Sequence, residues 1–216
     1  FQREEYPCPV IKIAPEYLIY RLSNTRTKSA QKEYIADNNK QDDYFSEDRL
    51  EVSEVQDSQH EILLKFVDKQ LANAFDQQGG QTEPILINKE GVIINGNRRL
   101  CFMRKENNYP LIKCQVVNDP NLDNKELEIE AWIDIAPNVK KDYSWTAVGL
   151  SLIELQEAGF NNEEIKEMKG LPTSREVDVR IQAVKLAEEQ LNFQGMKDKW
   201  SQVEKSEEIF TQAASS

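Results

Sequence analysis

The sequence holds one histidine, His60, and three cysteines, Cys8, Cys101 and Cys114, among its 216 residues. A single histidine leaves almost no room for a catalytic triad or a histidine-built metal site. The cysteines are odd in number and far apart, and their spacing matches neither a zinc site nor a redox pair. Reduced, mostly buried thiols in a cytoplasmic protein are the expectation. Long apolar runs are also missing: none approaches the ~20 residues of a membrane span, so no membrane partner is expected. The first residues, Phe1-Gln2-Arg3-Glu4-Glu5, are neither a signal peptide nor an initiator Met, so the chain reads as a fragment of something longer. Positive charge is scarce, with 27 Lys+Arg against 38 Asp+Glu. The deficit is uneven: residues 1–118 carry a net −2 and residues 119–216 a net −9. The acidic second half is a poor surface for nonspecific nucleic-acid binding, which needs phosphate neutralisation. Against these absences stand 39% hydrophobic residues, enough for a packed core, and 30% charged ones, which favour solubility.

The most informative stretch runs from Pro84 to Leu100. Ile85–Ile87 and Val92–Ile94 flank Asn88-Lys89-Glu90-Gly91, a hairpin signal. The second strand meets Gly96, and a helix is expected over Asn97–Glu106. A glycine there admits a ligand close to the backbone. The free N–H groups of a helix start suit an anion. Arg98 and Arg99 add two guanidinium forks matched to phosphate oxygens. Strand, glycine, helix start and paired arginines describe a phosphate site; the alternative is a surface turn followed by two solvated arginines.

Along the rest of the chain, Val10-Ile11-Lys12-Ile13 reads as a strand and Pro15 opens a short helix to about Arg21. Ser23–Thr27 is a polar loop carrying Arg26. Ser29–Asp57 is polar and acidic, expected to be partly mobile, with a helical turn or two at Gln31–Ala36. A long helix is expected from Ser58, with Ile62, Leu63, Phe66, Val67, Leu71 and Phe75 at helical spacing, stopping at Gly79-Gly80. Leu111–Val117 is the last strand. A helix around Leu127–Ile135 is halted at Pro137. Further helices are expected at Trp145–Ala158, from Asn161 or Asn162 to Lys169, and from Thr173-Ser174 onward, with a polar tail in which Trp200 and Phe210 are anchors. The three helices resemble a helix-turn-helix array, though the acidic charge suits an ordinary helical bundle. The expected fold is α+β, with a small mixed sheet in residues 1–118, a helical domain at 119–192, and a tail or last helix at 193–216.

Three local motifs in order are similar to the ParB/sulfiredoxin superfamily, on its ParB side. Ser23-Asn24-Thr25-Arg26 resembles the early Asn-Pro-Arg segment, with Thr25 for the proline. Gly80-Gln81-Thr82-Glu83-Pro84-Ile85 resembles the Gly-x-x-x-Pro-Ile motif that touches base and phosphates. Gly96-Asn97-Arg98-Arg99-Leu100 resembles the Gly-Glu-Arg-Arg box that binds the triphosphate. Asn138–Ser144 is similar to a segment that helps hold the nucleotide and its magnesium; Pro137 replaces the Glu before it, and Lys141 an arginine. Asn97 stands where ParB has Glu and where sulfiredoxin has its catalytic Cys, so sulfiredoxin chemistry has no nucleophile.

The resemblance implies a switch that binds CTP or ATP with Mg²⁺, with slow NTPase activity as an extension, in a DNA-transaction or phage-defence system. It implies a nucleotide or phosphate site from Gly80, Gln81, Thr82, Gly96, Asn97, Arg98 and Arg99. Arg26, Asn138, Lys140 and Lys141 would complete it, and DNA would be reached through a homodimer or a partner protein. Glu83 and Glu90 are the nearest acidic residues in sequence for orienting a water. The alternatives are a ParB-like nuclease or DNA-binding module, drawing on Asp42-Asp43, Glu47-Asp48 and Asp142, and a protein–protein adaptor that has lost the ligand.

Overall fold

The computed structural model describes residues 9–117 and 143–215. These divide into two compact units, residues 9–22 with 46–117, and residues 23–45 with 143–215.

The first unit is built on a four-stranded mixed sheet of order β1-β4-β2-β3, with β1 Val10–Ile13, β2 Ile85–Ile87, β3 Ile93–Asn95 and β4 Ile112–Val116. β4 pairs antiparallel with β1 and parallel with β2, and β2–β3 is the expected antiparallel hairpin. The hairpin closes because Asn88 Oδ1 accepts from the N–H groups of Glu90 (3.1 Å) and Val92 (2.9 Å), which fixes the turn. Gly91 follows with φ +85°, and a Cβ there would lie 2.9 Å from the Tyr17 carbonyl oxygen. The Gly91 carbonyl accepts from Ile19 N–H at 3.0 Å, and Ile19 bridges Val92. The chain after Tyr17 therefore lies beside the hairpin at Ile19; the expected helix from Pro15 is only a 3₁₀ turn, Pro15–Tyr17.

The long helix expected from Ser58 is two helices, α2 Ser53–Leu64 and α3 Lys69–Gln77 (α1, Lys28–Asp37, lies in the second unit). Asp68 ends the continuity by capping α3, its Oδ1 accepting from Leu71 N–H at 2.9 Å. A side chain that satisfies a free helix-start N–H competes with the uninterrupted helix. α4 spans Asn97–Glu106, as the pattern predicts, and is closed by Asn107 in the left-handed region, φ 51°. The core joins Leu63, Leu71 and Phe75 to Ile85, Ile87, Leu100, Phe102 and Ile112. Each such side chain contributes roughly 1.5–3 kcal/mol on leaving water.

The second unit is helical. α1 is Lys28–Asp37, α5 Trp145–Glu157, α6 Asn162–Lys169, α7 Ser174–Phe193 and α8 Glu207–Ser215. Ser144, Asn161 and Thr173 cap α5, α6 and α7, Asn161 with a full capping box. Trp145, Val184, Leu191, Trp200 and Phe210 share one cluster, so both expected tail anchors are buried.

Residues 23–45 pack with these helices rather than with the sheet. Lys28 pairs with Glu154, Lys199 with Asp37, and Ser201 Oγ donates to Glu33 Oε1 at 2.7 Å. Of the Ser29–Asp57 stretch expected to be partly mobile, residues 29–45 are thus held within this unit, while residues 46–57 belong to the first unit. Tyr44, 3% exposed, stacks on Tyr34, with Phe45 edge-on at 4.9 Å. The expected helix around Leu127–Ile135 and the Asn138–Asp142 residues lie outside the described residues.

Candidate functional site

Gly96 carries the chain from β3 into α4 with φ 121°, a conformation open to glycine and strained for other residues. A Cβ there would also press on Ile85 at 3.1–3.2 Å. The first three side chains of α4 then reach to three other segments of the first unit.

Asn97 is 3% exposed. Its Nδ2 donates to the Arg21 carbonyl at 2.8 Å and its Oδ1 accepts from Arg21 N–H at 3.2 Å. The amide therefore acts as a pairing partner for an extended backbone. Arg98 places Nη1 4.0 Å from Asp68 Oδ2, the same carboxylate group that caps α3. Arg99 turns the other way. Its Nη1 donates to the carbonyls of Glu83 (3.3 Å) and Pro84 (3.2 Å), and its Nη2 donates to Asn95 Oδ1 at 3.0 Å. Burial lowers the Arg99 pKa, and the Glu83 carboxylate beside it opposes that fall. A guanidinium keeps its proton through such a shift, so Arg99 is a charged clamp on the loop before β2.

That loop is pinned at its other end as well. Gln81 Nε2 donates to the Lys113 carbonyl at 2.8 Å, and Gln81 Oε1 accepts from Lys113 N–H at 2.7 Å, so the side chain extends the β4 ladder. Thr82 Oγ1 donates to Gln78 Oε1 at 2.7 Å, and Gly80 supplies φ 119° at the loop's start. The structure thus brings the Gly80–Thr82 loop and Gly96–Arg99 into one hydrogen-bonded assembly around the start of α4.

Arg26 belongs to the second unit, where its guanidinium lies 4.3 Å from the centroid of the Tyr143 ring. Asn138, Lys140 and Lys141 lie outside the described residues. Of the acidic residues considered for a water, Glu83 is 3.5 Å from Arg99 Nη1 through its carboxylate, and Glu90 sits exposed in the hairpin turn. Cys101, one helical turn beyond Asn97, is fully buried, and burial pushes its thiol up to about 11. Among the described residues, no group of three or more His, Cys, Asp or Glu side chains converges as a metal site, and no helix is long and apolar enough to cross a membrane. On α7, Arg180 is engaged with Glu176 at 2.9 Å.

Two partners were not singled out from the sequence. Asp68 faces Arg98; its only signal is the pattern Asp followed by an amphipathic run, which reads as a helix cap once α2 and α3 are separated. Asn95 receives Arg99, and nothing in its spacing marks it. No family model, curated protein or solved structure matches the chain.

Proposed function

We propose that the first unit is a ParB-like nucleotide-binding switch that takes CTP or ATP with Mg²⁺ at the start of α4. The observation that carries this reading is the Gly96 turn. It sets the N-terminus of a ten-residue helix directly after a strand, beside a loop held rigid by Arg99 and Gln81. A preorganised loop and helix start lower the ordering cost of binding a phosphate chain. Arg98 is the phosphate ligand in this reading; its Nη1 lies 4.0 Å from Asp68 Oδ2, and a triphosphate would take the place of that carboxylate. Arg99 and Asn97 serve the site by shaping it rather than by touching the ligand.

Calorimetric titration of the protein with CTP and ATP, each with and without Mg²⁺, tests the proposal. Saturable binding of a triphosphate that weakens by ~1.5–3 kcal/mol in Arg98→Ala is the expected result, the range for a hydrogen bond to a charged group. Unchanged affinity in the variant removes Arg98 from the site.

A second reading is favoured by one specific observation: Asn97, Arg99 and Gln81 direct their polar atoms to the protein's own groups, mostly backbone. A chain that has turned its ligand-binding residues inward acts as a protein–protein adaptor on the same scaffold. Failure of every nucleotide to bind at millimolar concentration selects this reading.

A further inference from the structure

β1 forms one edge of the sheet in the first unit. β4 pairs with it on one side, and among the described residues no strand pairs with it on the other. One contact fixes which backbone groups are left over. Val116 N–H donates to the Pro9 carbonyl at 3.0 Å, and the register sets Ile11 opposite Cys114 and Ile13 opposite Ile112. Bonded and non-bonded pairs alternate along an antiparallel ladder, so Pro9, Ile11 and Ile13 turn their backbone groups toward β4. Val10 and Lys12 turn theirs outward. Those N–H and C=O groups have no protein partner among the described residues.

The side chains sort the same way, because opposed residues share a face. Ile11 and Ile13 stand on the core face with Cys114 and Ile112, which are fully buried. Ile11 is nonetheless 42% exposed, since no further strand covers its flank. Val10, 57% exposed, and Lys12 are on the outer face, where Lys12 is directly opposite Lys113 and both lysines are exposed. Like charges at opposed positions weaken a sheet. This pair stands in a chain with 38 Asp+Glu against 27 Lys+Arg, and Lys12 has no ion pair among the described residues.

Charge decides between the strands that could add to this edge. A second copy pairing antiparallel about Ile11 would bury Ile11 against its counterpart. It would also bring two Lys12–Lys113 pairs onto one face with no carboxylate among them, and an edge lysine is a device against such self-pairing. A segment with a carboxylate opposite Lys12 relieves the repulsion instead. An apolar side chain at its next position falls opposite Ile11 and covers it.

We propose that the outer edge of β1 binds an extended acidic–apolar segment of a partner protein by antiparallel strand addition, with a carboxylate opposite Lys12 and an apolar side chain opposite Ile11. Val10 and Lys12 then each exchange a pair of backbone hydrogen bonds with the residue opposite. β1 is at the other edge of the sheet from β3, and the interaction does not depend on what the start of α4 binds.

The probe is a capped peptide of about six residues alternating Glu and Val, titrated into the full chain at low salt and followed by the amide resonances of Val10 and Lys12. Saturable binding with a dissociation constant below about 1 mM is expected, with both amides exchanging at least about tenfold more slowly at saturation. A Lys–Val peptide should bind at least about tenfold more weakly. In this register the N–H groups of the Glu residues face β1 and those of the Val residues face away. N-methylation of the Glu residues should therefore abolish binding, and N-methylation of the Val residues should preserve it. Lys12→Glu should lose at least about tenfold in affinity for the Glu–Val peptide while unfolding no more easily than the parent, because it meets Lys113 as an opposite charge. Val10→Pro removes one outward N–H, leaves the bonds to β4 in place, and should weaken binding with the charge unchanged. The proposal is overturned if the Glu–Val peptide gives no saturable shift up to about 5 mM, if the Lys–Val peptide binds as tightly, or if methylating the two residue types has the same effect. It is equally overturned if Lys12→Glu and Val10→Pro both bind like the parent. Concentration-dependent protection of the two amides without peptide would identify a second copy as the occupant and overturn it as well.

Discussion

Replacing Asn97 by Ala isolates what this side chain does at the start of α4. The side chain makes two hydrogen bonds, to the Arg21 carbonyl at 2.8 Å and from Arg21 N–H at 3.2 Å, and both residues are buried, at 3% and 4% exposure. Alanine removes both and leaves a backbone donor and acceptor facing a methyl group. Each buried group left unsatisfied costs about 1–3 kcal/mol. Water entering beside α4 recovers part of this, so the loss expected is about 3 kcal/mol, toward the lower part of the ~2–6 kcal/mol that two such groups span. At ~1.4 kcal/mol per decade this is roughly a hundredfold in the opening equilibrium. Native-state amide exchange reads it directly: the Arg21 amide should exchange roughly a hundredfold faster, with smaller acceleration in β2 and β3. Asn97→Asp should be at least as damaging at neutral pH, because it keeps the acceptor for Arg21 N–H but sets a buried carboxylate against the Arg21 carbonyl. An Arg21 amide equally protected in Asn97→Ala, with an unfolding free energy within about 0.5 kcal/mol of the parent, would refute the role assigned to this pair.

Gly91→Ala meets both a positive φ of +85° and the Tyr17 carbonyl 2.9 Å from the new Cβ, so a stability loss of about 1–3 kcal/mol in urea unfolding is expected. Cys101 and Cys114, both fully buried and both pushed up to about 11 by burial, should label at least ~100-fold more slowly in the native than in the unfolded protein at pH 8, as site-resolved mass spectrometry can follow. Glu204 has its pKa raised by burial and by nearby Glu207 and Glu33, against the hydroxyls of Thr146 and Ser144. A carboxyl with a raised folded pKa favours the folded state at low pH, and that contribution is lost as pH rises from the unfolded value of about 4.3 through the folded one. Glu204→Gln should therefore be more stable than the parent at pH 7 by thermal unfolding, with the gap narrowing as pH falls toward 4.

The elements visible in the sequence are those whose signal is local. The Asn88–Gly91 turn, the Gly96 junction, α4 and the three caps at Ser144, Asn161 and Thr173 each depend on residues within a few positions, and each forms where the pattern places it. The break between α2 and α3 was hidden because Ile62, Leu63, Phe66, Val67, Leu71 and Phe75 keep a helical period across it; Asp68 decides the matter through one hydrogen bond. Residues 23–45 were read as a polar loop, Ser23–Thr27, followed by part of the polar, partly mobile Ser29–Asp57 stretch, because their composition is polar. Their order comes from Tyr34, Tyr44 and Phe45 packing on one another, and from ion pairs to Glu154 and Lys199, more than a hundred positions away.

The two arginines of the Gly96 box look equivalent in sequence and are separated by the direction each takes from α4. Arg99 has three hydrogen bonds to the loop and β3, at 3.0–3.3 Å, while Arg98 has an ion pair at 4.0 Å. If Arg99 acts through the loop, its loss must appear in stability and affinity together, whereas loss of Arg98 must appear in affinity even where the fold is intact. Arg99→Ala is therefore expected to lower unfolding free energy by about 2–3 kcal/mol, from unsatisfied carbonyls and a loosened loop. Any triphosphate affinity should fall with it. Arg98→Ala should lose the affinity expected of a phosphate ligand whatever it costs in stability. Arg99→Lys sharpens the distinction: lysine keeps the charge but cannot span Glu83, Pro84 and Asn95 with one planar fork. A lysine variant that is destabilised nearly as much as alanine shows that Arg99 works by geometry. One that restores binding fully, at parental stability, shows that charge at position 99 is all the site requires, and the division of labour between the two arginines fails.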